Sequence, residues 1–445
     1  MYVKLIQLKM KMRPMDTELK TRMSPPLGLY TIASILRHDH TVVVQNANIE
    51  EIVYDTPDVV GIMVSLDVLP AAIEVAKRFR ALHVPVVAGG VHITTAHHTV
   101  PADAFDALCI GAAEGTWPQI MSDLADGKLK PVYRCSSTMT GSDIVPPAYD
   151  MMPKQQYLFR NIIHTSRGCP FKCDFCYNSY GGNRYIHRDI DDIVAEIKQI
   201  GRKHIMIIDD NFIGEPRWTM ELLRALIPLK IKWNAAVSIN VATIPGMLDL
   251  MAESGCQGLF IGFESINADS ISSVHKCQNH RADYEHAIAE IHKRGIMINA
   301  SFVFGLDEDT PEVFQKTLDW IVEQRLETIT SHILTPYPGT KLYDEFVRDG
   351  RLTSDDLSLY NTAHVVFNPK HMTAEQLYQG YLWIYKELYS FKNIIKRLPK
   401  TKRQWPAYLM FSFVYRKYGK FTDRLCHLFG YERIGWLAEK LSRYI

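Results

Sequence analysis

Residues 166–177 read Ser166-Arg167-Gly168-Cys169-Pro170-Phe171-Lys172-Cys173-Asp174-Phe175-Cys176-Tyr177, with three thiols inside eight residues. A short loop punctuated by glycine and proline can wrap three thiolates around a cubane iron–sulfur cluster without the entropy of closing a long loop. Three local ligands for four irons leave one iron without a cysteine. An enzyme needs such an open position to bind a reactant directly to metal. The competing reading is zinc, which prefers four protein ligands, usually as two separated pairs, and no second pair accompanies this triplet. His164 is the nearest candidate for a fourth ligand, but it falls inside a predicted strand. Cys109, Cys135, Cys256, Cys277 and Cys426 are scattered, and most of them read as buried small hydrophobes.

Outward from the loop, the chain alternates between strand and helix patterns. Strands are predicted at 162–166, 204–209, 232–239, 258–262, 297–304 and 328–334, with helical spacing between them, as at 190–200 and 216–229. Six such units predict a partial (β/α)6 barrel over 157–345, because a full eight-unit barrel needs more chain. Upstream, Val- and Ile-rich runs at 3–8, 41–44, 59–64, 84–88 and 107–111 alternate with helical stretches such as 70–82. That pattern predicts a doubly wound, Rossmann-like parallel sheet over 1–135. From about 131 the pattern lapses into Ser, Thr, Gly and Pro, so 136–156 reads as a linker, and 346–445 reads as a helical C-terminal domain. The fold class is α/β.

Composition bounds the function. The chain has 445 residues, 22% charged and 47% hydrophobic, with a formal net charge of +1. This is a globular composition without the electrostatic footprint of a nucleic-acid binder. No secretory signal or membrane-length apolar run is read, so the expected location is the cytoplasm, where reduced thiols favour metal ligation over disulfides.

The spacing of Cys169, Cys173 and Cys176, with aromatic Phe175 before the last, resembles the radical S-adenosylmethionine (SAM) superfamily. The resemblance implies that these cysteines ligate a 4Fe–4S cluster at the catalytic centre and that the open iron chelates SAM. One-electron reduction, by a donor such as flavodoxin or ferredoxin, would then cleave SAM to a 5′-deoxyadenosyl radical. It also implies SAM contacts at Phe175, at Asp209 and Asp210 near the amino group, at Ser238 and Asn240, at Glu264 and Ser265, and at Phe304 near the adenine. All would lie on the carboxyl-end face of the barrel. Each alone can equally be strand-end punctuation.

Segments 25–30, 61–65, 88–92 and 111–115 together resemble the cobalamin-binding domain that precedes many radical SAM cores. In that family, glycines after the strands let the backbone approach the corrin closely. The resemblance implies contacts at Ser65, Gly89, Gly90, His92, Gly111, Glu114 and Gly115. No Asp-x-His-x-x-Gly segment is present, which argues against a histidine on the lower face of cobalt. A cofactor-free Rossmann-like domain is the alternative.

Lysines and arginines flank an aromatic stretch within 392–420, a pattern that can lie on an anionic membrane surface or form a helical cap with a solvated basic face. The leading functional expectation is a cobalamin-dependent radical SAM enzyme that methylates an unactivated carbon of a small or lipid-like hydrophobic substrate. The alternatives are a radical SAM cyclase, rearranging or oxidising enzyme without methyl transfer, and a non-catalytic cobalamin or redox sensor.

Overall fold

Short β-branched runs buried on both faces form parallel strands, and two such sheets organise the chain. The computed structural model describes residues 1–442 apart from 15, 137–138, 180–183, 275, 277–278 and 280–282, so Cys277 lies outside the described residues. The first sheet contains β1 (Tyr2–Gln7), β2 (Thr41–Asn46), β3 (Val59–Met63), β4 (Val86–Gly89), β5 (Ala107–Ile110) and β6 (Val132–Arg134), in the order β2-β1-β3-β4-β5-β6. Every pairing in it is parallel. The order reverses around β1 and β3, and such a switch point opens a crevice at the carboxyl ends of the strands. Strand β6 falls where the sequence pattern had lapsed; it is three residues long with only Tyr133 buried, too short to show periodicity.

The second sheet is built from β7 (Ile162–Ile163), β10 (His204–Ile207), β11 (Lys232–Val237), β12 (Cys256–Glu264), β13 (Met297–Phe304) and β14 (Thr328–Ile333), in the order β14-β13-β12-β11-β10-β7. All its pairings are parallel, and β7 and β14 remain as edges, so the barrel is partial. The strand expected at 162–166 is broken. After Ile163 the chain steps away and Ser166–Arg167 (β8) pairs antiparallel with Ile186–His187 (β9), which closes the base of the cysteine loop. The break has a local cause: the Thr165 backbone N–H donates to Asp209 at 2.7 Å instead of to a neighbouring strand.

The carboxyl end of β10 is anchored from beneath. Phe212, fully buried, packs on Trp233 with ring centroids 5.2 Å apart, and the Trp233 indole N–H donates to the Ser254 carbonyl at 3.2 Å. Beyond the barrel, the helix Ala374–Leu388 lies along β14, where the Ser331 N–H donates to the Tyr385 hydroxyl at 2.8 Å. Arg397 is fully buried and donates to the carbonyls of Leu326, Glu327 and Leu388. Among the described residues, no helix is long and apolar enough to cross a membrane.

Trp233→Ala removes the largest fully buried side chain and leaves a cavity under the segment that carries Asp209 to Asn211. The expected loss is about 3–5 kcal/mol, read as a lower urea midpoint, with weaker iron retention in the same variant.

Candidate active site

The cysteine loop is held at both ends by two neighbouring carboxylates. Asp209 is fully enclosed and accepts from the Thr165 N–H at 2.7 Å, the Ser166 hydroxyl at 2.7 Å and the Thr165 hydroxyl. Burial pushes its carboxyl up to about 6, against these donors. Asp210 is exposed to the cleft and accepts from the Gly168 N–H at 3.0 Å and from the Asn178 side chain at 2.7 Å. Gly168 precedes Cys169 and Asn178 follows Tyr177, so a single carboxylate brackets the loop. Gly168 has φ +81°, and a Cβ there would come within 2.8 Å of the Arg184 carbonyl oxygen. Only glycine suits that position.

Within the loop, the Cys176 N–H donates to the Cys173 carbonyl at 3.1 Å, a tight turn that brings two thiols to one side. Cys173 is buried, and Cys169 and Cys176 are half-buried. Burial pushes the Cys176 thiol up to about 11, and Cys173 and Cys169 add to the rise, so the three sulfurs feel one another's charge. The donor set suits an iron–sulfur cluster: three cysteines, with N–H groups aimed at sulfur. Asn211 Nδ2 stands 3.9 Å from Cys169 Sγ, and the backbone of Phe171 and of Asn178 donates to Cys169 and Cys176.

The other expected SAM-contacting residues divide. Ser238 donates to Asn240 at 2.6 Å and accepts from Asn211 at 3.3 Å, which ties the end of β11 to the thiol of Cys169 through one amide. Glu264 sits at a bulge in the β12–β13 pairing with φ +64° and is ion-paired with buried Lys276. Phe175 is partly buried against the barrel core. Three residues are engaged elsewhere. Asp209 is enclosed by Thr165 and Ser166, so it supports the loop. Ser265 accepts from the Asn267 N–H at 3.0 Å in a local turn, and the Phe304 ring packs in the core against Phe314, 4.8 Å away.

In the first sheet, Gly89, Gly90, Gly111 and Glu114 line a cavity of about 240 Å³ at the switch point. Gly90 and Gly111 have φ +106° and +90°, and a Cβ on Gly90 would lie 2.8 Å from the Val64 carbonyl oxygen. Gly61 lines it too, pressed between Leu5 and Trp117. The cavity adjoins a cleft of about 940 Å³ between the sheets, and Gly90, Gly111, His164 and Arg167 line both. His164 Nδ1 is buried without a hydrogen-bond partner in the protein. A glycine-walled slot opening into a wide cleft with an unsatisfied imidazole suits a large flat cofactor with a nucleotide tail.

Other residues proposed for this cofactor lie differently. Ser65 and His92 line a separate, neighbouring chamber. His92 is buried on the helix Val91–Ala96, bonded to Thr99 at 3.1 Å and held down at about 4 by burial. Gly115 packs under Cys135, which is itself half-buried and lines the large cleft rather than the core. Glu114 receives both nitrogens of Arg167, at 2.6 and 3.0 Å, and so joins the first sheet to the residue two before Cys169.

The Radical SAM superfamily matches residues 163–321, and a domain of unknown function (DUF4070) matches 340–425. Bacteriochlorophyllide d C-12(1)-methyltransferase of Chlorobaculum tepidum is 31% identical over 365 residues, covering 80% of this chain and 78% of that protein. The chain belongs to the radical SAM superfamily. It is a radical SAM enzyme. Its fold is shared with the radical SAM methyltransferase TsrM from Kitasatospora setae, solved with cobalamin and a 4Fe–4S cluster bound (TM-score 0.65, 14% identity, 99% of each chain). It is shared equally with the cobalamin-dependent radical enzyme OxsB, solved with aqua-cobalamin (TM-score 0.68, 15% identity, 94% of this chain and 72% of that one).

For this radical SAM enzyme, sequence reading missed Asn211, Lys276 and Arg167, and it weighed His164 only as a zinc ligand. Asn211 had a signal, since it directly follows the acidic pair. The partners of the other two become visible only in the fold: Glu264 lies 12 residues from Lys276 and Glu114 lies 53 residues from Arg167. Asp210→Ala frees both ends of the cysteine loop and is expected to speed iron loss to a chelator about ten-fold, while circular dichroism stays unchanged. Retention equal to the parent protein's would show that the bracket is dispensable.

Proposed function

We propose that this enzyme transfers a methyl group to an unactivated carbon of a small or hydrophobic substrate, using both a cluster-bound SAM and a cobalamin. The observation that carries the reading is one cleft shared by two half-sites: the glycine-walled slot of the first sheet and the two flanks of the cysteine loop, Gly168 and Tyr177, line the same 940 Å³ space, and Arg167 and Glu114 join them. In this reading residues 1–135 form the cobalamin-binding domain, 157–345 the radical SAM barrel and 346–445 a helical domain closing it.

Cys169, Cys173 and Cys176 would hold the cluster. Gly89, Gly90 and Gly111 would give the corrin and its tail backbone clearance, and Ser238, Asn240 and Glu264 would stand around SAM. When bound, the cluster with SAM supplies a hydrogen-abstracting radical, and cobalamin supplies a transferable methyl group. The protein's own part is positional. Asp210 keeps the loop facing the cleft, and Arg167 and Glu114 keep the half-sites in register. The relatives named as methyltransferases support the transfer chemistry, and the one acting on a bacteriochlorophyllide supports a hydrophobic substrate.

The test is anaerobic reconstitution with iron, sulfide and hydroxocobalamin, then reduction in the presence of SAM carrying a deuterated methyl group and bacteriochlorophyllide d as the probe acceptor. Expected are cluster and corrin absorption in one protein, 5′-deoxyadenosine, and labelled methyl on the acceptor. Deoxyadenosine with no label leaving SAM would sink the transfer.

We also infer a peripheral membrane contact within 392–420. Phe391 and Ile395 are exposed on one face of the helix Phe391–Lys396, and Lys417 lies over the Phe391 ring at 4.1 Å, which combines apolar and cationic groups on one surface. Sedimentation with anionic phosphatidylglycerol vesicles, weakened several-fold in Phe391→Ser with Ile395→Ser, is the expected result; equal recovery with and without vesicles would refute it.

A further inference from the structure

A second chamber, of about 330 Å³, lies beside the large cleft, and Val91, Thr95 and Tyr177 line both. Its body is apolar and aromatic, with Leu66 and Val91 from the short helices that follow β3 and β4, and Tyr337 against Tyr177, ring centroids 6.0 Å apart. Tyr177 directly follows Cys176, so this end of the chamber reaches the cysteine loop.

Elsewhere the lining changes character. Lys11, Arg13 and Lys20, on the segment between β1 and the helix Leu27–Leu36, all line the chamber. Arg13 Nε and Lys20 Nζ bind the same oxygen, Asp16 Oδ2, at 2.9 and 2.8 Å. One carboxylate thus serves two cations. Arg13 Nη1 donates to the Thr362 hydroxyl at 2.8 Å, and Lys11 donates to the Ser358 hydroxyl at 2.8 Å. The only carboxylate lining the chamber among the described residues, Asp67, already accepts from Ser65. The imbalance is felt locally. Burial and the charges of Arg13 and Lys20 hold His332 down at about 3, and burial with Arg13 lowers the Lys20 ammonium. Two partly buried cations that share one carboxylate keep a net positive charge that an anionic ligand would balance.

We propose that this chamber takes an amphiphilic acid, whose oxyanion headgroup sits against Arg13 and Lys20 while its apolar body extends past Tyr337 to Tyr177 and the cysteine loop. The inference deepens the function proposed above and rests on that reading of the cleft. It gives the cations a role as specificity determinants: the headgroup, remote from the reacting carbon, sets which carbon faces the loop.

Two naphthalene probes that differ in charge test it on the full-length protein by fluorescence: anionic 1-anilinonaphthalene-8-sulfonate and neutral N-phenyl-1-naphthylamine. The anion is expected to bind at one site per chain about ten-fold tighter than the neutral probe. Arg13→Gln with Lys20→Gln should erase that preference and leave the neutral affinity within about two-fold. Asp16→Asn, which unmasks both cations, should move the anion's affinity the other way, so a poorly folding double variant does not end the test. Dodecanoate and dodecyl phosphate, but not dodecanol, should displace the anion, and the stronger of the two identifies the headgroup. Equal affinity for both probes in the parent protein, or a preference that survives the double variant, would overturn the proposal. Iron content and SAM cleavage on the same preparations separate the two readings: intact cluster chemistry without anion preference removes the headgroup site alone, whereas absent cluster chemistry removes the proposed function.

Discussion

The cysteine loop depends on two adjacent carboxylates at the end of β10. Asp209 takes the backbone N–H and hydroxyl of Thr165, and Asp210 takes the backbone N–H of Gly168 and the amide of Asn178. The first pulls the chain out of the sheet after Ile163, and the second closes the loop that results. Three thiols within eight residues do not face one cluster by themselves. A buried carboxylate accepting several donors is rigid because each lost bond would strand a polar group out of water, and that rigidity passes to the loop.

A second constraint couples the loop to the first sheet. Arg167 lies between the two acid-anchored residues Ser166 and Gly168 and reaches across to Glu114 as a forked pair. Such geometry fixes direction as well as distance. The two carboxyl-end crevices therefore face one another instead of opening separately to solvent, and the large cleft is the volume between them. Glu114, on a segment expected to face a cofactor, has its charge committed to holding the half-sites in register.

The chambers around the cleft divide the labour chemically. The slot at the switch point is walled by glycines, of which Gly90 and Gly111 have positive φ and surroundings too tight for a side chain. The chamber beyond Tyr177 is walled by aromatics and ends among cations. In the proposed reading, unlike linings around one loop would let a large cofactor and a differently shaped substrate meet without competing for the same surface.

Much of this was legible in the linear sequence. Strand and helix periodicities are local, so the two parallel sheets and their alternating helices could be read, with Met297–Phe304 placed residue for residue. The cysteine spacing and Phe175 are local too, as are the glycines after β4 and β5. What tertiary structure alone decided is partnership. Asp209 seemed a ligand-facing acid until Thr165, 44 residues away, enclosed it, and Glu114 met Arg167 across 53 residues. Ser65 and His92 moved to a neighbouring chamber, and Phe304 turned its ring into the core. Arg13 and Lys20, in a segment without periodicity, acquired meaning only when Thr362 and Tyr337 closed the space before them. Chain-local patterns are set by backbone geometry and burial within a few residues, whereas the use of a charged or polar side chain is set by whichever distant group folding brings within hydrogen-bond reach.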